Sequence, residues 1–365
     1  MIWICGAPGA GKSVAAWALT EELAAAGACV AYVDIDQLGM LYPESDADPD
    51  RHQLKSEALR SLLPGYLAAG AQTLVVSGVV DARTGPRTAL GPGVDLSLFL
   101  LSPDPTVLYD RILARGWGAE NADDAIAEDE LLSAATFVDA RIATAGLSVA
   151  DTAARLAGLV PGDVLAMPAG PAAIGSPAGV PVTVITGPRA VGVSTVGFGL
   201  AMRRWQAGRR TGFLDLQQLG FVARPGRRIV AEADVAIRQL TAMHGLMALR
   251  GAERLVVSGR LAVSDRAALR SALPHAGVTV VRLRADAATL ADHVRSRVGR
   301  SDARLAGDDL LGADEEHQRR VISAALAEQV ALEAAADDVV LDVSGRTVDD
   351  VIAEVEGAQT GISAQ

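Results

Sequence analysis

Lysine is almost missing from this chain: of 33 basic residues only Lys12 and Lys55 are lysine, the rest being arginine. Asparagine occurs once, as Asn121. The two cysteines, Cys5 and Cys29, are too few for a disulfide framework and fit cytosolic usage. Positive charge is in deficit, with 44 acidic against 33 basic residues and a formal net charge of -11. That balance excludes a broad nucleic-acid surface and a polybasic membrane anchor, both of which need excess cation. Long apolar runs are absent too. The first, Met1 to Cys5, stops at Gly6, too short and without the basic start of a signal peptide. The uncharged stretch from Ala166 to Pro188 carries Pro168, Pro171, Pro177, Pro181 and Pro188, a density that no spanning helix tolerates. The expectation is a cytoplasmic protein with no membrane and no nucleic-acid partner. With 365 residues, half of them hydrophobic, the chain is too apolar for disorder and has roughly 2.4 domains' worth of length at about 150 residues each.

An internal repeat organises that length. The segment Ala31 to Gly39 (AYVDIDQLG) aligns with Gly212 to Gly220 (GFLDLQQLG) at a spacing of 181, the step from Asp34 to Asp215. Thr73 to Gly78 matches Arg254 to Gly259, and Gly6 matches Gly187, at the same spacing. Leu108 and Arg115 match Leu290 and Arg297 at 182. Two similar units inside one ordinary domain would not keep a single offset over so long a stretch, so the pattern reads as a tandem duplication. Short apolar runs (Ile2–Cys5, Cys29–Val33, Thr73–Val76, Leu96–Leu101) alternate with helical stretches (Lys12–Ala26, Arg51–Ala69, Pro105–Arg115). The second half repeats the pattern with strands at Val182–Ile185, Thr211–Leu214, Leu255–Val257, Val278–Leu283 and Val339–Asp342. The expected fold is α/β: two tandem domains, residues 1–160 and 182–357, each a parallel sheet with helices on both faces. A Pro/Gly/Ala linker at 161–181 separates them and a tail covers 358–365.

The stretch Gly6, Ala7, Pro8, Gly9, Ala10, Gly11, Lys12, Ser13 fits G-x-x-x-x-G-K-[ST] completely, after an apolar strand and at the opening of a helix that continues with Val14. Glycines let the backbone wrap phosphate oxygens and aim N–H groups at them from a helix N-terminus. Lys12 is a compact ammonium able to follow the β- and γ-phosphates, where arginine's planar fork fits poorly. Ser13 offers a hydroxyl for Mg²⁺. A chain that nearly always chooses arginine has kept lysine at this position. The second half reads Gly187-Pro-Arg-Ala-Val-Gly-Val-Ser194, with Val193 in place of lysine and Ala190 in place of a glycine, which predicts a silent copy.

Asp34 and Asp36 close the second strand, and residues two apart on a strand share a side. Both carboxylates are therefore expected at the C-terminal crevice, Asp34 towards Mg²⁺ and Asp36 as acceptor of a hydroxyl proton. The second half keeps Asp215 but has Gln217 for the other acid. The third strand ends Val76-Ser77-Gly78 without a Walker B acid, and the lone Asn121 excludes a guanine-recognition Asn-Lys-x-Asp motif. His52, His244, His275, His293 and His317 show no metal-ligand spacing, and Cys5 reads as a small buried hydrophobe.

On these residues, and on Leu108-Tyr-Asp-Arg-Ile-Leu-Ala-Arg115, residues 1–150 resemble the P-loop small-molecule and nucleoside monophosphate kinases, among them shikimate, gluconate and adenylate kinases and the chloramphenicol phosphotransferase type. The resemblance implies ATP and Mg²⁺ as cofactors, a small hydroxyl- or phosphate-bearing acceptor, and catalytic roles for Lys12, Asp36, Arg111 and Arg115. It also implies that Arg83 or Arg51 holds an anionic acceptor. The lid that follows in such kinases supplies cations, whereas Gly116 to Glu130 has no arginine and carries Glu120, Asp123, Asp124, Glu128, Asp129 and Glu130. Arg295, Arg297, Arg300 or Arg304 of the second half could lend the missing charge. The alternative function is a nucleotide-binding regulatory or assembly protein without an acceptor, in which ATP sets how the two halves pack together.

Overall fold

The computed structural model describes residues 1–91, 93–160, 179–298, 306–335 and 339–362. The apolar runs become strands buried on both faces, as parallel strands between helical layers must be. In the first half the order is β1 (Ile2–Cys5), α1 (Lys12–Ala25), β2 (Val30–Asp34), α2 (Ile35–Leu38), β3 (Leu41–Tyr42), α3 (His52–Ala68), β4 (Thr73–Ser77), α4 (Arg87–Leu90), β5 (Ser97–Ser102), α5 (Pro105–Ala114), α6 (Ala119–Ala134), β6 (Ala140–Ala143) and α7 (Val149–Leu159). Local chemistry sets several boundaries. Asp104 caps α5 by accepting the Thr106 N–H, with Pro105 at the first helical position. Ser148 and Asp151 form a reciprocal capping box at α7.

The second half runs β7 (Val182–Thr186), α8 (Val193–Gln206), β8 (Thr211–Asp215), α9 (Leu216–Leu219), β9 (Phe221–Ala223), β10 (Ile229–Ala231), α10 (Ala233–Leu249), β11 (Arg254–Ser258), α11 (Val263–Ala272), β12 (Val278–Arg284), α12 (Ala287–Val298), α13 (Glu315–Leu332), β13 (Val339–Asp342) and α14 (Val348–Ile362). Residues 161–178 of the expected linker lie outside the described residues, as do 363–365 of the expected tail. Residues 358–362, expected as tail, continue helix α14.

Two sheets result, with strand orders β10-β9-β2-β4-β1-β5-β6 and β13-β12-β7-β11-β8-β3. They are parallel except at one edge of each, and there the halves exchange strands. β9 of the second half pairs antiparallel with β2, and β3 of the first half pairs antiparallel with β8. Two mostly parallel sheets with helices around them are as expected; the antiparallel edge strands taken from the other half are not. These edge strands are two and three residues long, too short to leave an alternating pattern.

Behind the exchange, α3 lies against α10. Leu59, Leu62 and Tyr66 share one core with Leu240, Met243 and Leu246. Gly65 leaves room for the buried Gln239, whose Nε2 donates to Leu62 O at 3.0 Å. Arg250 Nε donates to Glu57 Oε2 at 2.9 Å, and Tyr66 Oη donates to Leu219 O at 3.1 Å. Tyr66→Phe would strand that buried carbonyl, so we expect a loss of about 1 kcal/mol in urea unfolding with an unchanged m-value. No helix among the described residues is long and apolar enough to cross a membrane.

Candidate active site

β1 delivers the chain to the loop at Cys5, and α1 begins at Lys12. Gly6, Ala7, Pro8, Gly9, Ala10 and Gly11 form the turn between them, and Lys12, Ser13 and Val14 are the first residues of the helix. Gly6 has φ +149° and a Cβ there would stand 2.7 Å from Leu101 O, so no other residue fits without moving β5. Gly11, at φ +93°, turns the chain into the helix. Lys12 is buried and folds back so that Nζ donates to Ala7 O at 3.0 Å. Burial pulls the Lys12 pKa down, while Asp36, Glu128 and Asp34 pull it back up. A buried ammonium hydrogen-bonded to a loop carbonyl is poised to gain from an anion laid in the loop.

The acidic pair is built differently from its expectation. Asp34 ends β2 and caps α2, its Oδ1 accepting the Asp36 N–H at 3.0 Å. Asp36 thus sits in the first turn of α2, and strand alternation does not describe the pair. The capping bond brings both acids to one end of the sheet nevertheless. Asp34 Oδ2 accepts from Ser13 Oγ at 2.8 Å and from Ser77 Oγ at 3.2 Å. Burial, and then the Asp36 charge, push the Asp34 carboxyl above its ordinary range. Among the described residues no cluster of three or more His, Cys, Asp or Glu could hold a metal by itself. Ser13 and Asp34 instead offer two oxygens, the small protein share that suits Mg²⁺ arriving with phosphates and water.

Lys55, the other lysine, completes the site, and sequence reading passed it over. From α3 its Nζ donates to Asp36 Oδ1 at 2.7 Å, with the lysine side chain only 8% exposed. Its rarity was the available signal. Its stem packs on Gly39, where a Cβ would come within 2.7 Å of it.

Arg111 reaches the loop, Nη1 donating to Gly9 O at 3.2 Å, and Arg115 lies 6.0 Å from the Trp117 ring centre. Neither guanidinium has a carboxylate within 4 Å among the described residues. Burial, then Arg111, lowers the Arg115 pKa. The acidic stretch after them forms α6, which packs its small face on α5. Of its acids, Glu120, Asp123, Asp124 and Glu130 face solvent. Glu128 is half-buried near Lys12, and burial raises its pKa against the pull of Lys12. Of the second-half cations, Arg295 pairs with Asp292 and Arg297 with Asp308, so neither is brought to this site; Arg300 and Arg304 lie outside the described residues.

The second half repeats the acidic framework. Ser194 Oγ and Ser258 Oγ donate to Asp215 Oδ2 at 2.9 and 3.2 Å. Its loop is another matter. Val193 opens the helix, Ala190 is held at φ +64°, and Glu328 from α13 meets one loop N–H, that of Arg189. Glu328 accepts the Arg189 backbone N–H at 3.1 Å and Arg260 Nε at 3.0 Å, while the Arg189 side chain pairs with Asp309. A carboxylate of the chain itself thus meets a loop N–H, and the guanidinium that could have replaced lysine is engaged.

Residues 2–132 match the family model described as AAA domain. A tunicamycin resistance protein of Deinococcus radiodurans is similar over 46% of this chain and 98% of its own, with 24% identity and a TM-score of 0.35. A gluconokinase from Sinorhizobium meliloti shows 17% identity over 48% of this chain and 89% of its own, with a TM-score of 0.32. A sugar kinase from a Janibacter species shows 18% identity over 43% and 89%, with a TM-score of 0.31. No curated protein sequence matches the chain significantly. The family-model match lies wholly within the first half of the chain.

A pH dependence of nucleotide binding is expected from the shifts of Asp34 and Lys12. Asp34 has a raised pKa, so its charge is lost early as pH falls; Lys12 has a lowered pKa, so its charge is lost early as pH rises. Affinity for nucleotide is expected to fall towards acid pH through Asp34 and towards alkaline pH through Lys12. On the alkaline side binding should take up protons, because phosphate recharges Lys12. Calorimetry in two buffers of different ionisation enthalpy would read that uptake, and none above neutral pH would detach Lys12 from the phosphates.

Proposed function

We propose that this protein is a MgATP-dependent phosphotransferase whose first half, residues 1–160, does the chemistry. Residues 182–357 are, in this reading, a duplicated copy that holds no nucleotide, joined through 161–181 and followed by the tail 358–365. The observation that carries it is the convergence of a buried Lys12, the Ser13–Asp34 oxygens and the Asp36–Lys55 pair at one mouth of the sheet. The loop amides and Lys12 hold the β- and γ-phosphates, and Ser13 and Asp34 face the Mg²⁺ that arrives with ATP. Asp36 takes the proton from the acceptor hydroxyl. The acceptor oxygen then bonds to the γ-phosphorus as the bond from that phosphorus to the bridging oxygen breaks, leaving ADP and a phosphorylated acceptor. Arg111, which reaches the loop at Gly9, and Arg115 supply cations to the charge on the transferring group; neither has a carboxylate partner among the described residues.

A second reading, a nucleotide-binding regulator without acceptor, is favoured by Glu128 lying beside Lys12. Titration and turnover separate them. One MgATP per chain is expected, since the second loop has Val193 in place of lysine and Glu328 on its Arg189 N–H. ADP release should rise with an acceptor in the wild type and not in Asp36→Asn, which should still bind MgATP. Binding without any acceptor-stimulated release would favour the regulator, and no MgATP binding would end both readings.

A further inference from the structure

A cavity of about 310 Å³ opens beside Lys55, the ion-pair partner of Asp36. Trp3 lines it, along with the first turns of α3 and the segment that follows β4. Lys55 belongs to its wall and reaches Asp36 Oδ1. The other oxygen, Oδ2, would lie 3.3 Å from a Cβ on Gly78, and the next residue, Val79, also lines the cavity. Asp36 is therefore joined to the wall of this space through Lys55, and its charge also acts on Lys12.

The charge on the walls discriminates among acceptors. Asp48, Asp50 and Asp81 line the cavity, and Lys55 is the lysine among them, already matched by Asp36. His52 adds no cation, because burial and then Lys55 hold its pKa below the ordinary range. Burial raises Asp81, but hydrogen bonds from the Arg83 N–H and from Thr84 outweigh it and keep the group ionised. Asp50 is exposed and has no hydrogen-bond partner among the described residues. The arginines expected to hold an anionic acceptor are not on these walls. Arg51 pairs with Glu44 at 2.9 Å and covers the Tyr42 ring, and Arg83 is exposed outside the cavity. An anion here would be desolvated beside like charges with no uncommitted cation to meet it. Hydroxyl groups, which donate to carboxylates, and an ammonium would both be satisfied.

We propose that this cavity is the acceptor site and that it admits hydroxyl compounds bearing no anionic group, an amine being the favoured substituent. The proposal rests on the phosphotransferase reading and narrows it: sugar acids, sugar phosphates and nucleoside monophosphates are rejected. It is tested by saturation-transfer NMR on the full chain with glucose, glucosamine and gluconate, together with adenosine and AMP. Binding of glucosamine, glucose or adenosine is expected, with gluconate and AMP at least about tenfold weaker. The signal should vanish in Ala89→Trp, which fills the cavity from its exposed rim, and persist in Lys12→Ala. Asp50→Lys should shift preference towards the anionic member of each set. Stronger binding of gluconate or AMP to the wild type, or no signal sensitive to Ala89→Trp, would overturn the proposal. Either result leaves the phosphotransferase reading to its own test, which is MgATP binding and its loss in Lys12→Ala.

Discussion

Replacing Lys12 by alanine is expected to weaken MgATP binding by a factor on the order of 100 or more, the scale seen when a preorganised charge on a phosphoryl or oxyanion site is removed. Lys12 is the cation buried under the loop, and its partner without nucleotide is a carbonyl of that loop. The same burial that lowers its pKa makes it a cost to the empty protein. The variant should therefore melt no lower than the wild type when nucleotide is absent, while losing the rise in Tm that MgATP gives the wild type. Lys12→Arg should rescue little, because a planar five-donor fork has to be desolvated where a single ammonium now fits. Calorimetry with and without nucleotide checks both halves of this statement. A variant that binds MgATP normally would show that the loop amides suffice and that Lys12 is a packing residue.

What could be read from the sequence was what lies contiguous in it. The loop from Gly6 to Ser13 is one unbroken segment, so its chemistry was legible before any coordinate. The central strands were legible to within a residue or two because burial on both faces leaves uninterrupted apolar runs; the edge strand Val339–Asp342, buried only in part, was expected and found as well. Asp36 shows the limit. Its place near Asp34 was foreseen for the wrong reason, since a side-chain cap starting α2 sets its direction and strand alternation does not. Lys55 lies 19 residues beyond Asp36 in sequence, and only the docking of α3 brings it near. Glu328 is farther still from Arg189, with a separation of 139, and a glutamate on an exposed helix gives no hint of such a contact. The edge strands escaped because their partners lie in the opposite half and two or three residues carry no period.

That exchange leads to the second large expectation: neither half folds alone. Residues 1–160 by themselves would lose β9 from the edge of β2, and the core face of α3 with Leu59, Leu62 and Tyr66 would be bared to water. Residues 179–365 would lose β3 from β8 and uncover Leu240, Met243 and Leu246. Each fragment would carry an open sheet edge beside an apolar helix face, the combination that drives aggregation. We expect both to be insoluble or to lack a cooperative transition, and co-expression to restore a soluble complex that binds MgATP. In the intact chain, calorimetry should show one transition with equal calorimetric and van't Hoff enthalpies, and Met243→Ala should destabilise the whole by about 2–5 kcal/mol. Two transitions, or a folded 1–160 fragment that binds MgATP, would show that the halves are independent. The expected coupling gives a second half that binds no nucleotide, as proposed, a reason to persist. Four residues after Asp36, Met40 O accepts the Phe213 N–H at 2.8 Å, so the peptide leading from the proposed base is pinned to the second sheet. Arg250 and Gln239 likewise hold the helix that carries Lys55. The second half can have Val193 where the first has Lys12 and still be required, because it fixes where the first half's acid and lysine stand.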